Sequence, residues 1–292
     1  MTAAAPRAGL ANGGDLARRD RSVPATGSPG GPVGRAPVIV LATEYSGTER
    51  LRRLLDGLPD LACTSGTGVL PLCDQAAAVW RIADGRPSGQ PSRLAAVTTR
   101  ALAESIIISV LAREGKRRWC EFSYALPEVA ETFALLYPGT RFVCLYRSCS
   151  DVIRAVLDAS SWGIADPVFA PFTRAYPAST TAALAAYWIA HTSSLLAFEE
   201  ARPQAVLRIR YEDLAEAEQQ TASAVMSFLG IASRGGDTAL APEGRDRPGT
   251  VLSPAKADLP AGLIPPALLA QANNLLKQLD YPVLPDSSRR RR

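Results

Sequence analysis

The segment that decides the fold reads Pro37-Val-Ile-Val-Leu-Ala-Thr-Glu-Tyr-Ser-Gly-Thr-Glu49. Its apolar run from Val38 to Ala42 predicts a buried β-strand, the polar residues 43–47 predict a tight turn, and a helical pattern begins at Thr48. In such an arrangement the N–H groups of the turn converge, and the helix N-terminus adds partial positive charge. The segment therefore predicts an anion-binding loop, a candidate nucleotide site formed by Glu44, Tyr45, Ser46, Gly47 and Thr48.

The excess positive charge of this chain lies near its two ends. Residues 1–36 hold five arginines against Asp15 and Asp20, and residues 285–292 hold four against Asp286. Since the net charge is only +4 over 292 residues, the body between these ends is slightly acidic. A nucleic-acid-binding protein more often carries basic residues across a folded face. We therefore expect no nucleic-acid partner.

Cysteine and histidine usage gives no sign of a metal site. The chain has a single histidine, His191, and its five cysteines form no Cys-x-x-Cys pair: Cys63, Cys73, Cys120, Cys144 and Cys149. The N-terminus lacks the continuous apolar region of a signal peptide, and no apolar stretch approaches membrane-spanning length. These features predict a reduced, cytoplasmic protein without a metal or a membrane partner.

The middle of the chain predicts one domain. Residues 1–36 are rich in Ala, Gly, Pro, Arg and Ser without periodicity, which is typical of a disordered leader, and we also expect the basic tail at 286–292 to be disordered. Between them, over residues 37–285, apolar runs of strand length alternate with helical patterns. This alternation predicts an α/β fold, a single domain with a central parallel sheet and helices on both faces.

Four sequence blocks resemble, in order, the sulfotransferases that use 3′-phosphoadenosine 5′-phosphosulfate (PAPS), especially bacterial small-molecule members. Any single block is weakly specific, whereas the ordered set, spread over roughly residues 37–283, is fairly specific. The blocks are Tyr45-Ser-Gly-Thr48, Trp119-Cys-Glu-Phe-Ser123, Tyr137-Pro-Gly-Thr-Arg-Phe-Val-Cys-Leu-Tyr-Arg147 with Asp151-Val-Ile153, and Val206-Leu-Arg-Ile-Arg-Tyr-Glu-Asp-Leu214.

This resemblance implies a P-loop-like sulfotransferase fold and a defined chemistry. Such enzymes move a sulfuryl group from PAPS, their co-substrate, to a hydroxyl or amine of a small molecule, and the bacterial members suggest a secondary metabolite as the acceptor. By the same resemblance, residues 44–48 hold the 5′-phosphosulfate and Arg147 holds the 3′-phosphate. Arg247, in Arg247-Pro-Gly249, resembles a late phosphate contact. The family's chemistry needs no metal.

The chain departs from the family pattern at four functional positions. Tyr45 stands where the family has a basic residue beside the sulfate, and Phe122 replaces a lysine. Ala155 replaces the serine that holds the 3′-phosphate, and the turn at residues 64–68 replaces an acidic residue. One hypothesis is a degraded or repurposed nucleotide site, in a protein that is non-catalytic or transfers another group. The other is a site rebuilt with different cations, such as Arg50, Arg52, Arg53, Arg245 or Arg247.

Three acidic residues are candidates for the general base that takes the acceptor's proton. Glu121 ends a predicted strand at the carboxyl edge of the sheet, where ligands gather in open α/β folds. Glu49 lies in the first turn of the helix after the loop, where stabilisation of the helix dipole is the competing interpretation. Asp74 lies on the next predicted helix.

Aromatic residues in the stretch 160–177 predict the acceptor pocket. This stretch has the pattern of a long irregular loop, and long loops are often lids or binding loops, with surface packing as the competing interpretation. His191 shares a helix face with Trp188, so we interpret it as a packing residue. The sequence leaves the oligomeric state open, a homodimer included. The predicted pocket residues are Trp162, Phe169, Phe172, Tyr176 and Tyr124.

Overall fold

The computed structural model describes residues 35–58, 60–85, 91–124, 127–159, 166–231 and 264–285. The predicted tail at 286–292 and all but the last two residues of the predicted leader lie outside these ranges. Trp162, Arg245 and Arg247, three of the residues considered for the site, lie outside them as well, so their predicted roles remain predictions.

Within the described residues, five parallel strands form one sheet: β1 (Val38–Ala42), β2 (Leu61–Ser65), β3 (Arg118–Ser123), β4 (Arg141–Tyr146) and β5 (Val206–Arg210). Their order across the sheet is β2-β3-β1-β4-β5. The central strand β1 places Val38 opposite Cys120 on one side and opposite Arg141 on the other. This arrangement confirms the predicted parallel sheet.

The helices follow the strands in alternation, as the sequence predicts. They are α1 (Thr48–Asp56), α2 (Val69–Ala83), α3 (Arg93–Glu114), α4 (Pro127–Leu136), α5 (Cys149–Ala159), α6 (Ala170–Ala175), α7 (Thr180–Ala201), α8 (Tyr211–Glu216), α9 (Glu218–Leu229) and α10 (Pro266–Gln278).

Both faces of the sheet are covered by helices. On one face, Val40 and Leu145 pack in a cluster with Leu51 of α1 and Val225 of α9. On the other face, the alternate strand residues, such as Ile39, belong to a larger cluster contributed by α2, α3, α4, α5, α7 and α10. The continuous apolar runs of the strands follow from this burial on two sides. The predicted single α/β domain with helices on both faces is confirmed.

The prediction of an irregular loop over residues 160–177 is wrong for the second half of that stretch. A short 3-10 helix spans Pro167–Phe169 and leads directly into α6. Asp166 caps the 3-10 helix, because its Oδ1 accepts a hydrogen bond of 3.0 Å from the N–H of Val168. This ordered segment packs against α7 and brings Asp166 to the site.

Helix α3 differs from the sequence expectation about membrane-spanning segments. Its 22 residues are long and apolar enough to cross a membrane by length and composition, and no other helix in the described ranges meets that test. Ala103 and Ile107 of this helix are fully buried in the core of the domain, although only 28% of its apolar window is buried. A core helix passes the same test, so the observation supports a membrane span only weakly.

The carboxyl ends of the central strands meet at one edge of the sheet. The turn 43–48 follows β1, Tyr124 follows β3, and Arg147 follows β4. In open parallel sheets this edge, near the point where the strand order reverses, is where ligands bind. The fold therefore brings the predicted site segments together.

Candidate active site

The turn after β1 has an uncommon backbone conformation. The N–H of Ser46 donates to the carbonyl of Thr43 at 3.3 Å, which closes a turn with Glu44 and Tyr45 at its centre. Tyr45 has a φ of 63°, in the left-handed region. For a residue with a Cβ atom this conformation costs about 1–2 kcal/mol. Such strain persists only where surrounding contacts hold it, and it clusters at functional sites.

Three hydrogen-bond contacts hold this conformation. Two come from distant parts of the chain and one lies within the turn. The N–H of Glu44 donates to the hydroxyl of Tyr187 at 2.9 Å. The Nη1 of Arg147 donates to the carbonyl of Tyr45, also at 2.9 Å. The hydroxyls of Thr43 and Ser46 hydrogen-bond each other. Ser46 is fully buried, and its hydroxyl is directed toward Thr43 within the turn.

Gly47 is required by the close approach of Tyr211. It has a φ of 84°, and an added Cβ would lie 2.2 Å from the Tyr211 ring. The same ring lies under the Arg147 guanidinium, at 4.3 Å from ring centroid to guanidinium carbon. Tyr211 therefore positions both the predicted anion loop and the predicted 3′-phosphate residue. The sequence could not indicate this role, since it depends on β5 lying beside β4.

Arg147 presents a buried positive charge beside the loop. Only 8% of its surface is exposed, and its Nε is buried without a hydrogen-bond partner in the part of the chain described. Its carbonyl accepts a hydrogen bond from the indole N–H of Trp188 at 3.0 Å. No carboxylate of the described residues pairs with it. A buried guanidinium with an unpaired N–H is suited to an anionic ligand.

Two arginines proposed to replace the missing cation are paired with carboxylates. Arg50 pairs with Glu218 of α9 at 2.9 Å. Arg52 pairs with Glu49 and with Asp56 on its own helix. Their charges are already offset by carboxylates. Among the four positions at which the chain departs from the family pattern, two are apolar and buried: Phe122 is 3% exposed and Ala155 is 2% exposed.

Glu121 is buried and fully engaged by hydrogen bonds. Thr64 Oγ1 donates to it at 2.5 Å, and the N–H and hydroxyl of Thr67 both donate at 2.9 Å. Burial raises the pKa of the Glu121 carboxyl, and these hydrogen bonds oppose the rise. These contacts give Glu121 a role in holding the loop after β2, and its predicted role as general base stays a prediction.

The other two predicted bases are also engaged. Glu49 accepts two hydrogen bonds from Arg52, at 2.7 and 3.0 Å, and these lower the pKa of its carboxyl. Asp74 accepts a hydrogen bond from Thr132 at 2.8 Å, which joins α2 to α4. Both contacts favour structural roles, and for Glu49 this agrees with the competing interpretation.

Glu44, predicted to contact the cofactor, has different surroundings. Its side chain is half-buried, and within the described residues its carboxylate has no hydrogen bond or ion pair. Burial and the nearby Asp166 carboxylate raise the pKa of Glu44 from 4.5 to about 7. The structure thus places an unpaired carboxyl group within the predicted anion loop.

The predicted pocket residues separate into buried and half-buried groups. Phe169 is 1% exposed and packs edge-on against Tyr187, with ring centroids 4.7 Å apart, so it is a core residue. Phe172 is half-buried and also packs edge-on against Tyr187, and Tyr176 is partly buried beside the same cluster. The Tyr124 hydroxyl hydrogen-bonds Thr48 Oγ1 at 2.6 Å. Tyr124 therefore contacts the loop through a hydrogen bond, and the Phe169 ring lies 6.3 Å from the ring of Tyr45 in the loop.

Tyr187 links the aromatic cluster to the loop, and sequence reasoning missed it. Besides accepting the Glu44 N–H, its ring lies 4.3 Å from that of His191. His191 is 8% exposed, and burial lowers the pKa of its imidazole. It packs within the cluster, as the sequence predicted. In the described ranges, no three His, Cys, Asp or Glu residues are grouped so as to hold a metal ion.

Comparison with known proteins agrees with this architecture. The sulfotransferase domain of the curacin biosynthetic pathway is 16% identical, with a TM-score of 0.56, covering 85% of this chain and 98% of that one. The corresponding domain of the Synechococcus PCC 7002 olefin synthase is 17% identical, with a TM-score of 0.52 and coverages of 85% and 95%. A sulfotransferase from Alicyclobacillus acidocaldarius is 15% identical, with a TM-score of 0.50 and coverages of 88% and 99%.

At identities this low, the structural likeness shows a shared fold and nothing more. Among proteins of curated function, none matches the sequence. The model of the sulfotransferase family matches residues 37–234, more than half of the chain and all of the site segments described above. This protein belongs to the sulfotransferase family.

Proposed function

We propose that this protein transfers a sulfuryl group from PAPS to a hydroxyl or amine of a small molecule. The observation that carries the proposal is the environment of Arg147, whose buried guanidinium has an unpaired Nε and reaches the anion loop through the carbonyl of Tyr45. A buried cation without a carboxylate partner is costly unless an anion completes the site.

The residues present fit a nucleotide that carries a 3′-phosphate and a 5′-phosphosulfate. Backbone N–H groups at the start of α1 would face the 5′-phosphosulfate, with Gly47 shaping the turn and Thr48 and Tyr124 offering hydroxyls. Arg147 would hold the 3′-phosphate, positioned by Tyr211. When bound, PAPS supplies the activated sulfuryl group. The protein's own contribution is positioning and charge stabilisation at the edge of the sheet.

The acceptor is proposed to be a small molecule. The phenol of Tyr124 contacts Thr48 of the loop, and the half-buried rings of Phe172 and Tyr176 pack in the aromatic cluster that contains Tyr187. Two of the structural neighbours are domains of biosynthetic assemblies, the curacin pathway and an olefin synthase, which supports a secondary metabolite as acceptor. All five cysteines are free, and burial raises the pKa of the Cys73 thiol to about 12. These thiols support a reducing, cytoplasmic location.

A second candidate function is a sulfotransferase-fold protein whose nucleotide site is degraded or repurposed. The observations that favour it are local. The family's cation is replaced by Tyr45, the family's 3′-phosphate serine by the buried Ala155, and the Ser46 hydroxyl is directed into the turn. Such a protein would bind another anion at Arg147, or none.

Binding of 3′-phosphoadenosine 5′-phosphate (PAP), the desulfated coproduct, separates these two functions. By calorimetry we expect micromolar binding, weakened at least about tenfold in Arg147→Ala because a charge-assisted contact is lost. Arg141→Ala is the matched control, since Arg141 lies at the opposite end of β4 and donates to the Gln204 carbonyl. Absence of binding at millimolar PAP would reject the sulfotransferase activity and favour the second candidate.

A further inference from the structure

The position of Glu44 is fixed by the same turn that forms the anion loop. Glu44 is separated from Ser46 only by the strained Tyr45, and its own N–H is held by Tyr187 at 2.9 Å. Its side chain therefore leaves the backbone at a defined point beside the cradle. A group that acts at the transferring sulfur must be held in this way, because small misplacements are costly in rate.

The titratable groups that interact electrostatically with Glu44 are one acid and three phenols. The carboxylate of Asp166, before the 3-10 helix, raises the pKa of Glu44 by charge repulsion. Tyr45 from the turn, Tyr187 from α7 and Tyr124 after β3 also interact electrostatically with Glu44. No lysine, arginine or histidine within the described ranges forms an ion pair with it. Burial first and the Asp166 charge second raise the pKa of Glu44 to about 7. Both the ionised and the neutral form of its carboxyl are therefore populated near neutral pH.

We propose that Glu44 is the catalytic base that takes the acceptor's proton during sulfuryl transfer, with Asp166 as a positioning residue that tunes it. This proposal rests on the proposed function. For a hydroxyl acceptor, a bond forms between the acceptor oxygen and sulfur, while the bond between sulfur and the phosphate oxygen breaks. The hydroxyl proton moves to a carboxylate oxygen of Glu44, and the sulfate ester and PAP leave. For a neutral amine, nitrogen takes the place of oxygen.

The charge balance of the loop favours this assignment. An ionised Glu44 beside a bound anion is repelled by it, and the repulsion ends when Glu44 accepts a proton. The proton transfer therefore becomes more favourable as the reaction proceeds, which is stabilisation specific to the transition state. The other acidic candidates lack this property, because Glu121 accepts hydrogen bonds from two threonines and Glu49 is paired with Arg52.

The first test needs no acceptor. If Glu44 lies beside the bound anion, PAP binding raises the pKa of its carboxyl, so binding near pH 7.5 draws a fraction of a proton from solution. Calorimetry in buffers of different ionisation enthalpy measures this uptake. We expect Glu44→Gln to lose that part of the uptake and Glu114→Gln, an exposed change at the end of α3, to retain it. Equal uptake in the wild type and Glu44→Gln would overturn the proposal.

The second test measures turnover with radiolabelled PAPS and a panel of phenols, primary alcohols and amines. We expect Glu44→Gln to lower kcat at least about 100-fold, while PAP binding changes less than threefold. Asp166→Asn keeps the cap of the 3-10 helix but removes a charge. It should therefore move the acidic limb of the kcat profile to lower pH. An unmoved limb would reject the role of Asp166, and a kcat of Glu44→Gln within tenfold of the wild type would reject that of Glu44.

The outcomes separate this proposal from the function on which it rests. If the wild-type protein does not bind PAP, the sulfotransferase activity fails, and the base with it. If PAP binds and the panel is sulfated, but Glu44→Gln behaves as the wild type in both tests, only the assignment of Glu44 is rejected. Circular dichroism of each variant shows that it is folded before either measurement is interpreted.

Discussion

The turn after β1 and the loop after β2 lie at the same edge of the sheet, and each surrounds one glutamate. Glu121, on β3, is 3% exposed and accepts hydrogen bonds from Thr64 and Thr67. Glu44 is only half-buried, yet its carboxylate has no hydrogen bond within the described residues, and Asp166 lies nearby. The more buried carboxylate is the better satisfied one.

This difference teaches that burial alone does not identify a reactive carboxyl group. Burial raises the pKa of both groups, but the donors around Glu121 stabilise its ionised form. Around Glu44, a second carboxylate and nearby phenols take the place of such donors. Glu121 therefore stabilises the loop that surrounds it. The ionised Glu44 carboxylate instead destabilises the folded state, a cost that is typical of functional positions.

The largest effect on stability should come from Glu121→Ala. This change removes the acceptor of the part-buried Thr67 N–H and hydroxyl, at about 1–3 kcal/mol for each donor left unpaired, while the Thr64 hydroxyl keeps the Cys120 carbonyl as an acceptor. We expect a loss of roughly 3 kcal/mol in the free energy of unfolding, measured by urea denaturation. Asp74→Ala, which removes one hydrogen bond from Thr132, is the control and should cost less. An equal cost in both variants would show that the Glu121 network is not special.

A smaller effect of opposite sign should come from Glu44→Gln. The folded-state pKa of Glu44, about 7, lies above its ordinary value of 4.5, so the folded state binds more protons than the unfolded state between these values. The stability of the wild type should therefore fall as pH rises from 4.5 to 7. At pH 8 the variant should be more stable by about 1–2 kcal/mol, after allowance for screening of this half-buried group by solvent.

Thermal unfolding at pH 5 and pH 8 measures this difference. The gain in Glu44→Gln should be present at pH 8 and nearly absent at pH 5, because the wild-type carboxyl is then protonated in the folded state. A variant that is less stable than the wild type at pH 8 would show that Glu44 has a stabilising partner, and the contrast with Glu121 would disappear.

The smallest effect should come from Glu49→Gln. Its ion pair with Arg52 lies on an exposed helix surface, where such pairs contribute less than about 1 kcal/mol. Because the folded-state pKa of Glu49 is lowered, the contribution is present at neutral pH and is lost as pH falls below 4.5. Unfolding at pH 7 and pH 3 checks this. A large loss of turnover in Glu49→Gln would restore Glu49 as a candidate base.

Local sequence patterns were sufficient to predict the fold. The apolar run 38–42, the polar turn and the leucine spacing of α1 are all contained in adjacent residues, so their periodicity identifies strand, turn and helix. The alternation of such units then implies the parallel sheet. The short helices after Asp166 were missed, because a six-residue helix contains too little periodicity to be recognised.

The site was less predictable, because its contacts are distant in sequence. Arg147 and the turn were found from their motifs, but Tyr187 and Tyr211 act through packing that depends on the order of the strands. Glu121 was predicted to end its strand at the carboxyl edge of the sheet, but β3 continues to Ser123 and Glu121 lies opposite Ile39 of β1. Its role depends on Thr64 and Thr67, which belong to the turn that the sequence showed only as a departure from the family.

The distant supports of the turn have a consequence for how the chain folds during synthesis. The turn leaves the ribosome before Arg147, Tyr187 and Tyr211, yet its conformation depends on these later residues. The central strand β1 likewise pairs only after β3 and β4 have been synthesised. Contacts of such long range form slowly. A nascent chain released before Tyr211 would therefore lack the shaped loop, even with the whole loop sequence already translated.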